Sequence, residues 1–360
     1  MNFYVNDIEF NNEINKGNEL FIKSYDKDYY VSYSNKNLNT LLNETYNEKD
    51  FIIIDKNVYN LSPHTFDNIP NNYCYLFNAV EETKNIESVL NIVDILYQLK
   101  FNKKNKLIVI GGGITQDVGG FVAGIYKRGL NWVFIPTTVL SMTDSCIGGK
   151  VGVNRNSKNM LGLFVAPNKI YISDFFIPSL TYGDVISGLG ESLKLALIGG
   201  TKNYQLFKKH FQTKNYMEII KISNSIKKSI IEYDELERNE RRVLNYGHTI
   251  GHALESASNY IIPHGIAVLY GMYMINEIFY YEKYEEINNF ILDIIPHKFK
   301  NLQLSYDTFV SHILNDKKND GDNICFILLN EIGDSVFVFK KLNKINDQMK
   351  LIFEDLFITY

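Results

Sequence analysis

The stretch KLIVIGGG, residues 106–113, constrains the fold of this chain more than any other segment. Its apolar run closed by three glycines reads as a buried strand ending in a turn. Segments of the same grammar surround it. FIIID (51–55) is another short apolar run, SVLNIVDILYQL (88–99) repeats apolar residues at helical spacing, and NWVFIPTT (131–138) is a further strand. Strands alternating with helices predict a parallel sheet with helices on its faces. From about residue 181 the pattern changes to long amphipathic segments: YGDVISGLGESLKLALI, YMEIIKISNSIKKSIIEYDELE and TIGHALESA. The second half therefore reads as a helical domain, with NICFILLNEIGDSVFVFK (323–340) as a hairpin turning at Ile-Gly-Asp. A chain of 360 residues has room for two domains. The predicted division is 1–180, an α/β domain, and 181–360, a mainly α-helical one.

Composition enters by what it excludes. The chain is 45% hydrophobic and 22% charged with a net charge of −4, so no basic surface points to nucleic acid. A small anionic substrate remains open, because a pocket can be locally positive within an acidic protein. Cys74, Cys146 and Cys325 form no CxxC pair, which excludes a cysteine zinc site and a disulfide framework. The N-terminus has no basic stretch followed by an apolar run, and nowhere do eighteen apolar residues run together. A cytoplasmic protein that does not cross membranes is the expectation.

Three constellations could carry chemistry. In VIGGGITQDVGGFVAGIYKRG (109–129), glycines after a strand let a phosphate approach the backbone, and the following helix N-terminus favours an anion. The spacing is not GxGxxG, so a dinucleotide site and a tight structural turn both remain open. PTTVLSMTDSCIGGKVGVNRNSKNMLG (136–162) crowds Thr137, Thr138, Asp144, Lys150, Asn154, Lys158 and Asn159 into one loop-rich stretch, which suits an oxyanion or is a polar surface loop. Finally, NYGHTIGHALE (245–255) puts His248 and His252 at i and i+4, about 6 Å apart along a helix. Position 249 is threonine, so this is not the HExxH protease motif. His264 follows in IIPHGIAVLYGM, and Glu191 lies in SGLGESLK with Lys194 one turn later. Glu191 with two of the three histidines would supply the three ligands typical of catalytic zinc.

Together these residues closely resemble the sugar phosphate cyclase superfamily, the 3-dehydroquinate synthases most of all, over about residues 50–340. The family's GE-x-x-K element appears as VEETK, its glycine turn as GGGITQD, its Y-x-RG as YKRG, and its PTT…D-S-x-x-GGK runs through Asp144 and Lys150. Lys158–Asn159, SGLGESLK, the stretch from DELERNER into RVLNYGHTIGHALE, the H-G at His264 and DKK at 316–318 follow in order. Departures are Val80 for glycine, Gln116 inside the glycine turn, and Arg238-Asn239-Glu240 before Arg241.

The resemblance implies an N-terminal NAD-binding α/β domain, a helical metal-binding domain, an active site in the cleft between them, and a homodimer. It implies Glu191, His248 and His264 as ligands of zinc or cobalt, with His252 beside the substrate phosphate instead. It assigns Asp55, Glu81, Lys84, Gly112, Gly113, Asp117, Thr137, Thr138, Asp144 and Ser145 to the cofactor. Lys150, Lys158, Asn159, Asn245, His252 and Lys317 or Lys318 are assigned to substrate, with Arg128 reaching a partner subunit's site. Asp144, Lys150, Lys194, Glu237 and His252 would be catalytic, and Lys227 with Arg241 would hold a carboxylate. The implied reaction takes 3-deoxy-arabino-heptulosonate 7-phosphate to 3-dehydroquinate by transient oxidation, loss of phosphate and intramolecular aldol closure, without net redox. The alternatives are a paralogue acting on sedoheptulose 7-phosphate or another sugar phosphate, and a metal-dependent polyol dehydrogenase.

Overall fold

The computed structural model describes residues 1–280, 283–314 and 323–359. The chain forms two compact units. One comprises Ile14–Leu180 with Ile231–Leu236; the other comprises Met1–Glu13, Thr181–Ile230 and Glu237–Tyr360. The change of pattern at residue 181 recurs as a boundary, but the first thirteen residues go with the helical unit rather than with 14–180.

The α/β unit is built on a seven-stranded sheet. Its order is Glu19–Ile22, Tyr29–Ser34, Lys169–Ser173, Asn131–Pro136, Lys106–Gly111, Phe51–Asp55 and Cys74–Phe77, with every neighbouring pair parallel except the first. Ile52, Ile53, Ile54, Leu107, Ile108, Val109 and Ile110 have no exposure at all, as parallel strands covered on both faces require. After Phe51–Asp55 the chain moves outward to Cys74–Phe77, whereas after Lys106–Gly111 it moves the other way to Asn131–Pro136. The two connections diverge, so the carboxyl ends of these adjacent strands frame a crevice of the kind that binds ligands in open α/β sheets. Gly111 ends one strand, Gly112 caps the helix Gly113–Ile125, and Asp55 ends the other strand. The stretch 136–162 is more regular than a loop. It holds a π-helical turn, Ser141–Ser145, and an antiparallel hairpin of Lys150–Val153 with Leu161–Phe164.

The other unit centres on Tyr182–Ile198, a helix with Val185 through Ile198 all buried. The helices His248–Ala257 and His264–Tyr280 lie in the same unit, the second packing closely on Tyr182–Ile198. Here Gly265 is forced by close approach: a Cβ there would stand 1.7 Å from the Ser187 carbonyl oxygen. The backbones touch, and Glu191 and His264 are brought within reach. The hairpin expected at 323–340 is Asn323–Glu331 with Asp334–Lys341. Asn2–Val5 adds in parallel to its second strand, and Ile8–Asn11 completes a four-stranded sheet. Among the described residues no helix is long and apolar enough to cross a membrane.

Candidate functional site

In the helical unit, Glu191, His248, His252 and His264 come together. His248 opens its helix behind Gly247, whose φ of +79° is the left-handed conformation that glycine adopts without strain. The three imidazoles form a cluster with ring centroids 5.1, 5.2 and 5.5 Å apart and one nitrogen of each within 4.8 Å of the others. Glu191 Oε1 lies 3.4 Å from His248 Nε2 and 3.3 Å from His264 Nε2. Yet this buried oxygen makes no aligned hydrogen bond. Ligand atoms at adjacent corners of a tetrahedral zinc site stand about 3.3 Å apart, given bonds of about 2.0–2.1 Å. Glu191 Oε1 stands from each of the two nitrogens about as far as two ligands of one small cation do.

The outer nitrogens agree. His248 Nδ1 is 3.2 Å from the Tyr246 carbonyl oxygen, which can only accept, so Nδ1 carries the proton. His264 Nδ1 is 3.1 Å from Glu255 Oε2, and an ionised carboxylate likewise only accepts. In the neutral rings both Nε2 lone pairs then face Glu191. On the far side of Glu191, Lys194 Nζ, itself 1% exposed, donates to Oε2. Burial works against the charge on Glu191, but Lys194 and His264 outweigh it and hold its pKa down to about 2. Burial works against His264 too, and the carboxylates of Glu191 and Glu255 on its two sides lift its pKa to about 9. Both shifts favour a positive charge beside Glu191.

Further along the same unit, Asn245 Nδ2 donates to Glu237 Oε1 at 3.2 Å, with Glu237 at φ +56°. Arg241 and Lys227 are buried cations, 2% and 4% exposed. Lys317 and Lys318 lie outside the described residues.

In the α/β unit a second network links segments far apart in sequence. Lys84 Nζ pairs with Asp117 Oδ2 at 2.5 Å and donates to Asn159 Oδ1 at 2.7 Å. Asp117 Oδ1 accepts from Gly152 N–H at 3.0 Å, and Asn154 donates to Glu81 Oε1 at 2.7 Å. Asn159, expected at a substrate phosphate, is thus tied to Lys84 and Asp117, expected at the cofactor. Lys150 and Lys158 are exposed at the start of the hairpin and in its turn. Asp55 Oδ1 accepts from Asn57 N–H at 2.8 Å and so caps a short helix. Thr137 N–H donates to the Gly111 carbonyl at 3.0 Å, and Thr138 Oγ1 bonds Ser141 Oγ at 2.9 Å, which fixes the turn facing Gly112. Arg128 follows Lys127 in a tight turn where both have positive φ, 63° and 50°.

Sequence reasoning missed two features. Glu255, the last letter of NYGHTIGHALE, reads as one more helix position until His264 is placed against it. Gln116, noted only as a departure from the family pattern, donates to the Ser145 carbonyl at 2.7 Å and accepts from Ser145 Oγ at 2.6 Å. That reciprocal clasp ties the first turn of the helix after the glycines to the turn carrying Asp144. Its only signal in the sequence is an amide inside the glycine turn.

The two-unit fold is that of the sugar phosphate cyclases. A 2-deoxy-scyllo-inosose synthase complexed with carbaglucose-6-phosphate, NAD⁺ and Co²⁺ superposes with a TM-score of 0.83 at 23% identity, covering 92% of this chain and 99% of that one. The 2-epi-5-epi-valiolone synthase of Streptomyces hygroscopicus, with NAD⁺ and Zn²⁺ bound, gives 0.78 at 22% identity over 91% and 97%. In sequence, the profile of the 3-dehydroquinate synthase N-terminal domain matches residues 74–187, and that of the C-terminal domain matches 188–319. The 3-dehydroquinate synthases of Pelagibacter ubique and of Streptococcus pyogenes serotype M49 are 36% and 34% identical, each over 89% of this chain and over 94% and 95% of their own lengths. The chain belongs to the 3-dehydroquinate synthase family, and it is an enzyme of that cyclase type.

Proposed function

We propose that the protein converts 3-deoxy-arabino-heptulosonate 7-phosphate to 3-dehydroquinate, using NAD and a divalent metal, zinc or cobalt, as a homodimer to which Arg128 contributes across the subunit boundary. The observation that carries the reading is the convergence of Glu191 Oε1 with two imidazole nitrogens whose ring partners are already engaged. Those residues fit a metal: the oxygen is buried and lacks an aligned donor, and the donor set is one carboxylate with two imidazoles. Glu191, His248 and His264 would hold it. The crevice beyond Asp55 and Gly111–Gly113 suits a dinucleotide, with its pyrophosphate at the N-terminus of Gly113–Ile125. When bound, the metal would supply Lewis acidity toward substrate hydroxyls and the nicotinamide would supply a hydride acceptor that gives the hydride back.

The chain's own residues do the rest. Lys194 keeps Glu191 ionised and, with Glu237 and Asp144, contacts ring hydroxyls. Lys150, Asn159, Asn245 and His252 neutralise and orient the leaving phosphate. Lys227 and Arg241, both buried, receive the substrate carboxylate, an arginine fork suiting a carboxylate in particular. That carboxylate separates this substrate from sedoheptulose 7-phosphate and glucose 6-phosphate, which lack it. Arg241→Ala should raise KM for the heptulosonate about 10- to 100-fold, as loss of a charged hydrogen bond worth about 1.5–3 kcal/mol implies. An unchanged KM would remove the carboxylate from the account.

A second reading, a paralogue on a carboxylate-free sugar phosphate, is compatible with Val80 in place of the family's glycine, Gln116 inside the glycine turn and Arg238-Asn239-Glu240 before Arg241. A metal-dependent polyol dehydrogenase would instead accumulate NADH from a simple polyol.

A further inference from the structure

We infer that Glu255 is a positioning residue of the metal site: its buried carboxylate holds the Nδ1 proton of His264 and so turns Nε2 toward Glu191 and the cation. This rests on the metal reading above, and it adds a residue that no part of that reading assigns. Glu255 stands seven residues after His248, two turns along His248–Ala257, so both lie on one face of the helix. The chain then returns through a short loop in which Asn259 and Tyr260 are both left-handed, with φ of 49° and 62°. Ser258 ties this loop down, donating to the Glu255 carbonyl at 3.0 Å and accepting from Ile262 N–H at 3.2 Å. His264 thus arrives beside the Glu255 carboxylate at 3.1 Å, in a place where that side chain is only 8% exposed.

The two imidazoles are oriented by different means. His248 Nδ1 is fixed by a backbone carbonyl, which no substitution at Tyr246 would remove. Among the described residues the partner of His264 Nδ1 is a side chain, Glu255, so the ring's tautomer and angle can be changed by substitution. A carboxylate behind a metal-bound imidazole both fixes the ring and raises its basicity, and losing such a partner costs about 10- to 100-fold in metal affinity. Glu255 also contributes charge. A glutamine in its place could still accept the Nδ1 proton through its amide oxygen while removing that charge, so the two contributions can be separated.

The experiment is a competition titration of Co²⁺ against a chromophoric chelator, with visible Co²⁺ spectra and melting temperatures, on wild type, Glu255→Gln and Glu255→Ala. The expected result is a 10- to 100-fold loss of affinity with an altered cobalt spectrum for the alanine variant. The glutamine variant should show a smaller loss and a spectrum like wild type. A folded alanine variant with wild-type affinity and spectrum would overturn the inference, as would a glutamine variant as weak and as spectrally altered as alanine. Should the alanine variant not fold, the glutamine variant decides alone: a retained spectrum supports positioning and an altered one contradicts it. Failure of the wild-type protein to bind Co²⁺ would instead strike the metal reading itself.

Discussion

Replacing His248 with alanine is expected to abolish metal content and turnover together, whereas His252→Ala should keep the metal and lose rate. The difference follows from position rather than residue type. His248 Nε2 faces Glu191 Oε1 at 3.4 Å with its other nitrogen spent on Tyr246, so its loss removes one of three converging donors. His252 stands 5.1 and 5.5 Å, ring to ring, from its two neighbours and would act on the phosphate, where general acid–base or charge assistance is worth about 10²–10⁴ in rate. Metal analysis of both variants after dialysis, with kcat and KM, checks this. The three imidazoles also form a cluster on their own. Equal metal loss in both variants would therefore make His252 a ligand and contradict the set of Glu191, His248 and His264.

Lys194→Met should be the most destabilising single change at the site in the metal-free protein. Glu191 is wholly buried, and Lys194, 1% exposed, is its ion-pair partner. Removing one member of a buried pair costs about 3–5 kcal/mol, of which His264 beside Glu191 offsets a part. In a chain of this size that corresponds to a fall in melting temperature of roughly 4–7 °C. A metal bound by Glu191 would restore part of the loss, because a ligand at a thousand times its Kd stabilises by about 4 kcal/mol. Thermal unfolding of the variant with and without Zn²⁺ measures both effects. A variant that melts with the wild type, or one that zinc does not stabilise, would contradict the assignment.

Local pattern carried much of this fold. KLIVIGGG, FIIID and NWVFIPTT are strands because apolar runs of that length, bounded by glycine or proline, have few other uses. The helices of the second half show the same directness. What local pattern could not give was pairing at a distance. Nothing in NFYV announces that it will add to Asp334–Lys341, so local pattern groups the first thirteen residues with the α/β half. The hairpin within 150–164 is not legible locally because its strands, KVGV and LGLF, are only four residues long and each is interrupted by glycine. The site divides along the same line. The spacing of His248 and His252 suggested a pair on one helix, but separating ligand from phosphate contact needed Glu191 and His264, contributed by two other helices. The Lys84–Asp117–Asn159 network joins three segments, and its residues were legible one at a time, through the family resemblance, without the contacts among them.

The central claim is a cyclase that releases phosphate from a carboxylate-bearing sugar phosphate without consuming its nicotinamide. It is tested most directly by giving purified protein NAD⁺ and Zn²⁺ or Co²⁺ with each of three substrates, and following inorganic phosphate and NADH absorbance together. The substrates are 3-deoxy-arabino-heptulosonate 7-phosphate, sedoheptulose 7-phosphate and glucose 6-phosphate. The account predicts stoichiometric phosphate from the heptulosonate, little from the other two, and no NADH accumulating at steady state. Phosphate only from sedoheptulose 7-phosphate or glucose 6-phosphate, or NADH accumulating without phosphate, would contradict it.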